Sequence, residues 1–146
     1  MEVVKAVITN DNKYLLQLRD NDSSITYPNT WSFFGGEVDY GESLDDALKR
    51  ELEEELGRKP EVSKNTKKTR YQKANCNITF YLINCYKTKD KLRLGEGQAM
   101  AWFTYEEISD LLYQNNKDQV LVAKESLLAI DLLIQREEVY NESTIS

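Results

Sequence analysis

The sequence contains no histidine, and this absence excludes several classes of functional site. Ser–His and Cys–His nucleophilic pairs, histidine general bases and histidine-ligated zinc are all excluded. The two cysteines, Cys76 and Cys85, are too few for a disulfide framework or a structural zinc site. Their spacing predicts two buried thiols on opposite faces of one strand.

The chain also lacks a long apolar run. No window approaches the roughly 18 consecutive apolar residues of a membrane span, and the first residues lack the basic-then-apolar pattern of a signal peptide. We therefore expect a cytoplasmic protein, present as a monomer or a homodimer. The length of 146 residues fits a single domain over 1–146, with a flexible tail at 136–146.

Acidic residues outnumber basic ones by 25 to 19, and the excess is concentrated in one stretch. The formal net charge is -6, and residues 36–57 contain nine acids against two basic residues. This balance argues against a general binder of nucleic-acid backbones, which needs a basic surface. It also argues against a membrane partner and directs attention to residues 36–57.

Strand, turn and cap signals predict the element order β-β-β-α-β-β-β-α-α. This order indicates an α/β fold in which helices pack on a mixed sheet. Ser43 is the expected N-cap of the first helix, Gly57 its C-terminal stop, and Thr104 the N-cap of the second helix. The predicted strands lie at 3–9, 13–19, 31–34, 67–74, 77–86 and 100–103, and the predicted helices at 43–56, 105–112 and 119–135.

The first predicted helix carries acids where apolar residues are expected. At about 100° per residue, Glu51 and Glu55 fall in the middle of its apolar stripe, Glu54 at the edge and Glu53 on the solvent side. Partly buried like charges repel and lose hydration, which costs several kcal/mol unless cations compensate. Because Arg50 alone cannot neutralise three acids, and all-oxygen ligation favours hard ions, the pattern predicts bound Mg²⁺, with Mn²⁺ as the alternative.

The glycine pair before this helix fits the same interpretation. Gly35 and Gly36 provide a backbone bend without side chains, which lets a carbonyl group or an anionic substrate approach closely. Hard cations held by carboxylates commonly serve phosphoryl chemistry.

Residues 36–58 resemble the signature of the Nudix hydrolases, in its MutT-like branch. The likeness comprises Gly36, Glu42 and the run from Arg50 to Gly57, and only Arg58 departs from it, at a position that is normally aliphatic. The resemblance implies an α/β/α sandwich with a mixed sheet. It also implies hydrolysis of a nucleoside diphosphate linked to another moiety, through Mg²⁺-activated water.

The resemblance also implies roles for individual residues. It assigns metal binding to Glu51, Glu54 and Glu55, with Glu54 or Glu55 as the base, and it makes Arg50 the residue that orients a glutamate. Gly36 corresponds to a backbone-carbonyl ligand, and Glu42 to a mainly structural partner. Glu96, in a loop that resembles one of the MutT-type branch, is a further candidate for metal binding and catalysis.

The substrate contacts are predicted from chemistry and from that branch. Phe33 and Trp102 are candidates for stacking on a base, Arg19 for contacting phosphate, and Asn116 for reading a purine. The favoured reaction converts a nucleoside triphosphate, for example an oxidised purine nucleotide, to the monophosphate and pyrophosphate. Hydrolysis of a nucleotide sugar or dinucleotide such as ADP-ribose is the alternative, and a catalytically silent nucleotide-binding or protein-interaction module is the alternative of another class.

Overall fold

The computed structural model describes residues 1–20, 22–24, 30–73, 75–85, 92, 95, 99–113 and 123–134. These residues form a mixed sheet with helices on both faces. The strands are β1 (Glu2–Asn10), β2 (Lys13–Leu18), β3 (Trp31–Ser32), β4 (Phe34–Glu37), β5 (Lys68–Lys73), β6 (Cys76–Asn84) and β7 (Ala99–Thr104), and the helices are α1 (Leu44–Leu56), α2 (Tyr105–Tyr113) and α3 (Ala123–Ile134).

The sheet is built around β1, which pairs parallel to β6 and antiparallel to β2 and β4. Strand β5 extends the sheet beyond β6, and β7 and β3 both pair with β2. The predicted combination of a mixed sheet with helices on both faces is therefore confirmed.

Strands β1 and β2 separate soon after their turn, and we call this divergence the fork. The two strands pair only at Thr9–Tyr14 and Asn10–Lys13. Beyond that point β4 lies against β1, and β3 lies against β2. The prediction of one strand over 31–34 was wrong, because the chain leaves β2 after Ser32 and joins β1 at Phe34.

Phe33 lies at this crossover and belongs to the core beneath α2 and α3. Its side chain is 1% exposed and packs edge-to-face against Phe80, with ring centroids 6.2 Å apart. The structure contradicts the prediction that Phe33 stacks on a substrate base, because a side chain enclosed on this face has no surface to offer a ligand.

The other face of the sheet packs against α1. Leu48 and Leu52 of the helix bury against Val4 and Ile8 of β1 and Leu15 of β2. Cys76 packs on the α2–α3 side of the sheet and Cys85 on the α1 side, so the two thiols lie on opposite faces as predicted. Both thiols are half-buried, whereas the prediction was that they are buried.

The predicted caps are present at both ends of α1 and at the start of α2. The Ser43 hydroxyl accepts a hydrogen bond from the Asp46 N–H, and Gly57 has the left-handed φ of 69° that ends a helix. Thr104 and Glu107 form a reciprocal capping box. These caps fix the register of α1, which sets the direction of its acidic side chains.

Two features predicted for the C-terminal part of the chain fall partly or wholly outside the described residues. The third helix was expected at 119–135, and the described part of that range is helical over Ala123–Ile134. The predicted tail at 136–146 also lies outside them. Within the described chain, no helix has the length and apolar character needed to cross a bilayer.

The assignment of Phe33 to the core leads to a stability prediction. Phe33→Leu removes buried aromatic contacts, so we expect the free energy of unfolding to fall by about 1 to 2 kcal/mol. Urea denaturation measures this change. The folded variant should bind nucleotide as tightly as the wild-type protein. A loss of nucleotide affinity without a loss of stability would contradict the assignment to the core and support a role of Phe33 in ligand binding.

Candidate active site

The three acids of α1 that the resemblance assigns to metal binding differ in burial in the order that helical periodicity predicts. Glu55 is 3% exposed and lies within the packed face of α1. The Glu51 side chain is 15% exposed and the Glu54 side chain 51%. Glu53 points to solvent and forms an ion pair with Lys59. The placement of Glu51 and Glu55 among apolar side chains is therefore confirmed.

The carboxylate of Glu55 bridges the fork of the sheet. Its Oε2 accepts a hydrogen bond from Gln17 Nε2 of β2 at 2.9 Å, and its Oε1 accepts one from the Gly35 N–H of β4 at 3.3 Å. The Glu51 carboxyl is also hydrogen-bonded to Glu55. Glu55 therefore connects both branches of the sheet to the acidic face of α1.

Burial and a neighbouring acid favour the protonated form of Glu55. Burial raises the pKa of Glu55 to about 8; the Lys5 charge opposes this shift, and the hydrogen bond with Glu51 adds to it. Burial also lowers the pKa of Lys5, against the opposing effect of Glu55. Lys5 is itself buried and donates from Nζ to the Phe33 carbonyl at 3.2 Å. Lys5 therefore offsets part of the charge of Glu55, while Glu51 forms an ion pair with Arg50 at 3.0 Å.

Arg50 fixes the outer side of the site. Its guanidinium donates to both carboxylate oxygens of Glu42, at 2.8 and 3.0 Å, to Glu51 Oε1 at 3.0 Å and to the Glu37 carbonyl at 3.0 Å. The hydrogen bond with Glu42 is the main cause of the raised pKa of Arg50 and of the lowered pKa of Glu42. Arg50 therefore contacts Glu42 and the helix glutamate Glu51 directly. Glu54 lies farther away, with its Oε2 at 3.6 Å from Arg50 Nη1.

Gly36 leaves the space that the Glu51 carboxylate occupies. A Cβ added to Gly36 would lie 2.5 Å from Glu51 Oε1, and one added to Gly35 would lie 2.0 Å from the Val4 carbonyl oxygen. Gly35 also has a φ of 145°, which residues with a side chain rarely adopt. The glycine pair is therefore required by close packing on both of its sides, which explains why no side chain is present there.

The oxygen atoms of this site have the chemistry that a hard divalent cation prefers, but only some of the predicted ligands lie together. Glu51 and Glu55 bring carboxylates together next to the Gly36 backbone, and oxygen groups of this kind suit Mg²⁺ or Mn²⁺. Glu54 does not join them, because its half-exposed carboxylate lies on the Arg50 side. Over the described residues, no group of three or more acidic or thiol side chains is arranged to hold a metal ion. Two of the three predicted acids converge.

Among the predicted substrate contacts, Trp102 lies on the side of the sheet that faces α1. Arg19 is half-buried and close enough to Lys5 to lower the pKa of that amine. Trp102 is half-buried, pairs in register with Leu15 and packs against the α1 core. Glu96 and Asn116 lie outside the described residues, and their assignments rest on the sequence.

Two residues that contact or surround Glu55 were not predicted. Gln17 and Lys5 are polar side chains in strands that are otherwise apolar at their centres. A lone polar residue in such a strand is a usable signal, because burial of an amide or amine requires a partner. The sequence does not identify that partner, which lies 38 residues from Gln17.

Comparison with known proteins decides the family. The sequence model described as "NUDIX domain" matches residues 1–125, which is most of the chain. The chain belongs to the NUDIX domain family. The predicted resemblance is confirmed, and α1 is the helix of the family signature.

Curated relatives of this NUDIX domain match it over part of their length. The "Nucleoside triphosphatase NudI" of Escherichia fergusonii is 42% identical over 64 residues, which cover 44% of this chain and 45% of that protein. The protein of the same name from Enterobacter sp. is 36% identical over 61 residues, covering 42% and 43%. The matches thus span less than half the length of these relatives.

Solved structures match almost the whole NUDIX domain. The MutT NUDIX hydrolase of Burkholderia pseudomallei superposes with a TM-score of 0.64 at 24% identity, covering 88% of this chain and 96% of that one. The solution structure of the E. coli ORF135 protein gives a TM-score of 0.54 at 31% identity, covering 88% and 91%. The similarity to the Burkholderia structure supports the fold alone and confirms the predicted α/β/α sandwich.

The protonated acid pair predicts a pH-dependent stability. Between the ordinary pKa of 4.5 and the raised value of about 8, the folded protein holds a proton on Glu55 that the unfolded chain has released. The stability that this group contributes therefore falls as pH rises, by up to about 1.4 kcal/mol per pH unit. Urea denaturation in EDTA at about pH 5.5 and about pH 7.5 measures this fall, and Glu55→Gln should remove it.

The control for this prediction is Glu53→Gln, which changes an exposed acid on the same helix. The free energy of unfolding of Glu53→Gln should change between the two pH values by as much as that of the wild-type protein. The reason is that Glu53 is exposed and forms an ion pair only with Lys59 among the described residues. Equal pH slopes in the unchanged protein and in Glu55→Gln would contradict the assignment of the proton to this pair.

Proposed function

We propose that this NUDIX domain hydrolyses a nucleoside triphosphate to the nucleoside monophosphate and pyrophosphate, with oxidised purine nucleotides among the candidate substrates. The observation that carries the proposal is the pair of buried carboxylates, Glu51 and Glu55, beside the Gly36 backbone on the signature helix. Acids in a packed face destabilise a fold unless a cation offsets them. The similarity to relatives named nucleoside triphosphatase NudI supports the choice of a triphosphate.

Glu51, Glu54 and Glu55 would hold the cation, Mg²⁺ or Mn²⁺, together with the Gly36 carbonyl oxygen. When bound, such a cation neutralises phosphate oxygens and makes water a stronger nucleophile. Arg50 orients Glu51 through the 3.0 Å hydrogen bond to Oε1. Glu54 or Glu55 takes the proton of the attacking water as one phosphoanhydride P–O bond breaks and a new P–O bond to the water oxygen forms.

Glu96 remains a proposed fourth carboxylate, with metal binding and catalysis as its roles. It follows Gly95, whose N–H donates to the Glu55 carbonyl at 2.6 Å. A Cβ on Gly95 would lie 2.3 Å from the Glu54 carbonyl oxygen, so this glycine packs directly on the last turn of α1. These contacts of Gly95 support the proposal for the residue that follows it.

Arg19 and Trp102 are proposed to contact the phosphate and the base, and Asn116 to read a purine. The position of Arg19 near Lys5 and the half-exposed Trp102 on the α1 side of the sheet support the first two roles. Steady-state hydrolysis of a nucleotide panel, with separate detection of phosphate and pyrophosphate, tests the substrate. Pyrophosphate from a triphosphate is the expected product, and activity on ADP-ribose alone would move the assignment to the dinucleotide alternative.

Glu54→Gln tests the enzyme assignment against a catalytically silent module. Glu54 is half-exposed, so the variant should fold normally and lose at least about a hundredfold in kcat. Glu53→Gln is the matched control, since it removes a neighbouring exposed acid on the solvent side of the same helix. The control should retain full activity. An equally active Glu54→Gln variant that still required Mg²⁺ would refute the proposed role.

Gly36→Ala tests whether the Glu51 carboxylate and the Gly36 backbone form one cation site. The added Cβ would lie 2.5 Å from Glu51 Oε1, so the carboxylate must move away. We expect the variant to lose the rise in melting temperature that Mn²⁺ gives the unchanged protein. Gly41→Ala is the control, because no atom lies within 4 Å of its added Cβ, although its φ of 81° is strained for a residue with a side chain. The Gly41 variant should be less stable and keep the Mn²⁺ effect.

A further inference from the structure

Gln17 is the one described side chain outside α1 with a hydrogen bond to Glu55 in this structure. Its Nε2 donates to Glu55 Oε2 at 2.9 Å, and both side chains are buried. Gln17 comes from β2, on the opposite branch of the fork from the Gly35 N–H that binds the other oxygen. The two donors therefore approach the carboxylate from two different strands.

This arrangement fixes both the position and the plane of the carboxylate. A carboxylate held at one oxygen can still rotate about its terminal bond, whereas donors on both oxygens define its plane. The Gly35 contact is the longer of the two, at 3.3 Å against 2.9 Å. Lys5 does not replace Gln17, because its Nζ donates to the Phe33 carbonyl. Gln17 is thus the stronger of the two constraints on Glu55.

The identity of the side chain also fits this role. An amide donates without adding a charge, so it holds Glu55 while leaving its negative charge available to a cation. A lysine or arginine at this position would neutralise Glu55 and compete with a cation for it. In a strand with the buried sequence Tyr-Leu-Leu-Gln, burial of the polar residue costs free energy that only its hydrogen-bonding partner offsets.

We infer that Gln17 is a positioning residue, which holds the Glu55 carboxylate in the plane that faces Glu51 and so sets the cation affinity of the acid pair. The inference rests on the proposed function, because it assigns Glu55 to cation binding. Hydrogen-bonding partners of metal ligands typically contribute ten- to a hundredfold in metal affinity.

Gln17→Met tests the inference with a side chain of similar length and no donor. We expect Mn²⁺ to bind about tenfold to a hundredfold more weakly, measured by the electron paramagnetic resonance signal of free Mn²⁺. Ser32→Ala is the matched control, because Ser32 pairs in register with Gln17, is equally buried and donates to the Phe33 carbonyl. Its Mn²⁺ affinity should be unchanged.

Gln17→Asn covers the case in which the methionine variant does not fold. Asparagine keeps the amide but is one methylene shorter, so it cannot reach Glu55 Oε2 from the same backbone position, and the same weakening is expected. A melting temperature for each variant separates loss of fold from loss of affinity.

A double-variant cycle shows whether Gln17 acts through Glu55. On a Glu55→Gln background, Gln17→Met should cause no further loss of Mn²⁺ affinity, because the group that it positions is already changed. A further loss of the full size on that background would overturn the inference, as would unchanged affinity in both Gln17 variants. Absence of Mn²⁺ binding and hydrolysis in the unchanged protein would instead refute the proposed function.

Discussion

The structure depends on the carboxyl group of Glu55, whose burial in the fork of the sheet would destabilise the fold without the groups that surround it. Its burial is compensated by donors from β2 and β4 and by the nearby charge of Lys5, and it raises the pKa of this carboxyl. The donors from the two branches can reach it only because β1 and β2 diverge after Tyr14. The fork and the buried acid therefore require each other, since a continuous sheet would leave no room for the carboxylate and an apolar residue would leave Gln17 unpaired.

Arg50 has the complementary role at the exposed side of the site. Its hydrogen bonds to Glu42, Glu51 and the Glu37 carbonyl connect the segment before α1 with the helix itself. Such a planar group with several fixed donors restricts both the segment and the acid that it contacts. Glu54 makes the longest contact of this network, with Oε2 at 3.6 Å from Arg50 Nη1, and stays half-exposed. The site therefore combines two acids that are held firmly with one that has freedom to move toward a ligand.

Local periodicity and cap signals were sufficient to predict the acidic helix and the face on which its acids lie. The register set by Ser43 and Gly57 places Glu51 and Glu55 on the packed face, and alternation along β6 places the two cysteines on opposite sides. The interactions that cross the fold could not be read in this way. Phe33 lies where the chain passes from β2 to β1, and that division of 31–37 into two strands depends on pairing partners far away in sequence. Gln17 finds its partner 38 residues away for the same reason.

The charge balance at the fork links folding to the proposed chemistry. Lys5 offsets part of the charge of Glu55, and Arg50 pairs with Glu51, yet burial still raises the pKa of Glu55, so Glu55 retains a proton when no further cation is bound. Occupation of the pair by a divalent ion requires release of that proton, which makes ion affinity and fold stability depend on pH together. A second lysine beside the acid pair would stabilise the fold more, but it would also neutralise the negative charge that must bind the cation of the proposed reaction. The single lysine and the neutral amide of Gln17 thus leave the acid pair stable enough to fold and still able to bind a cation.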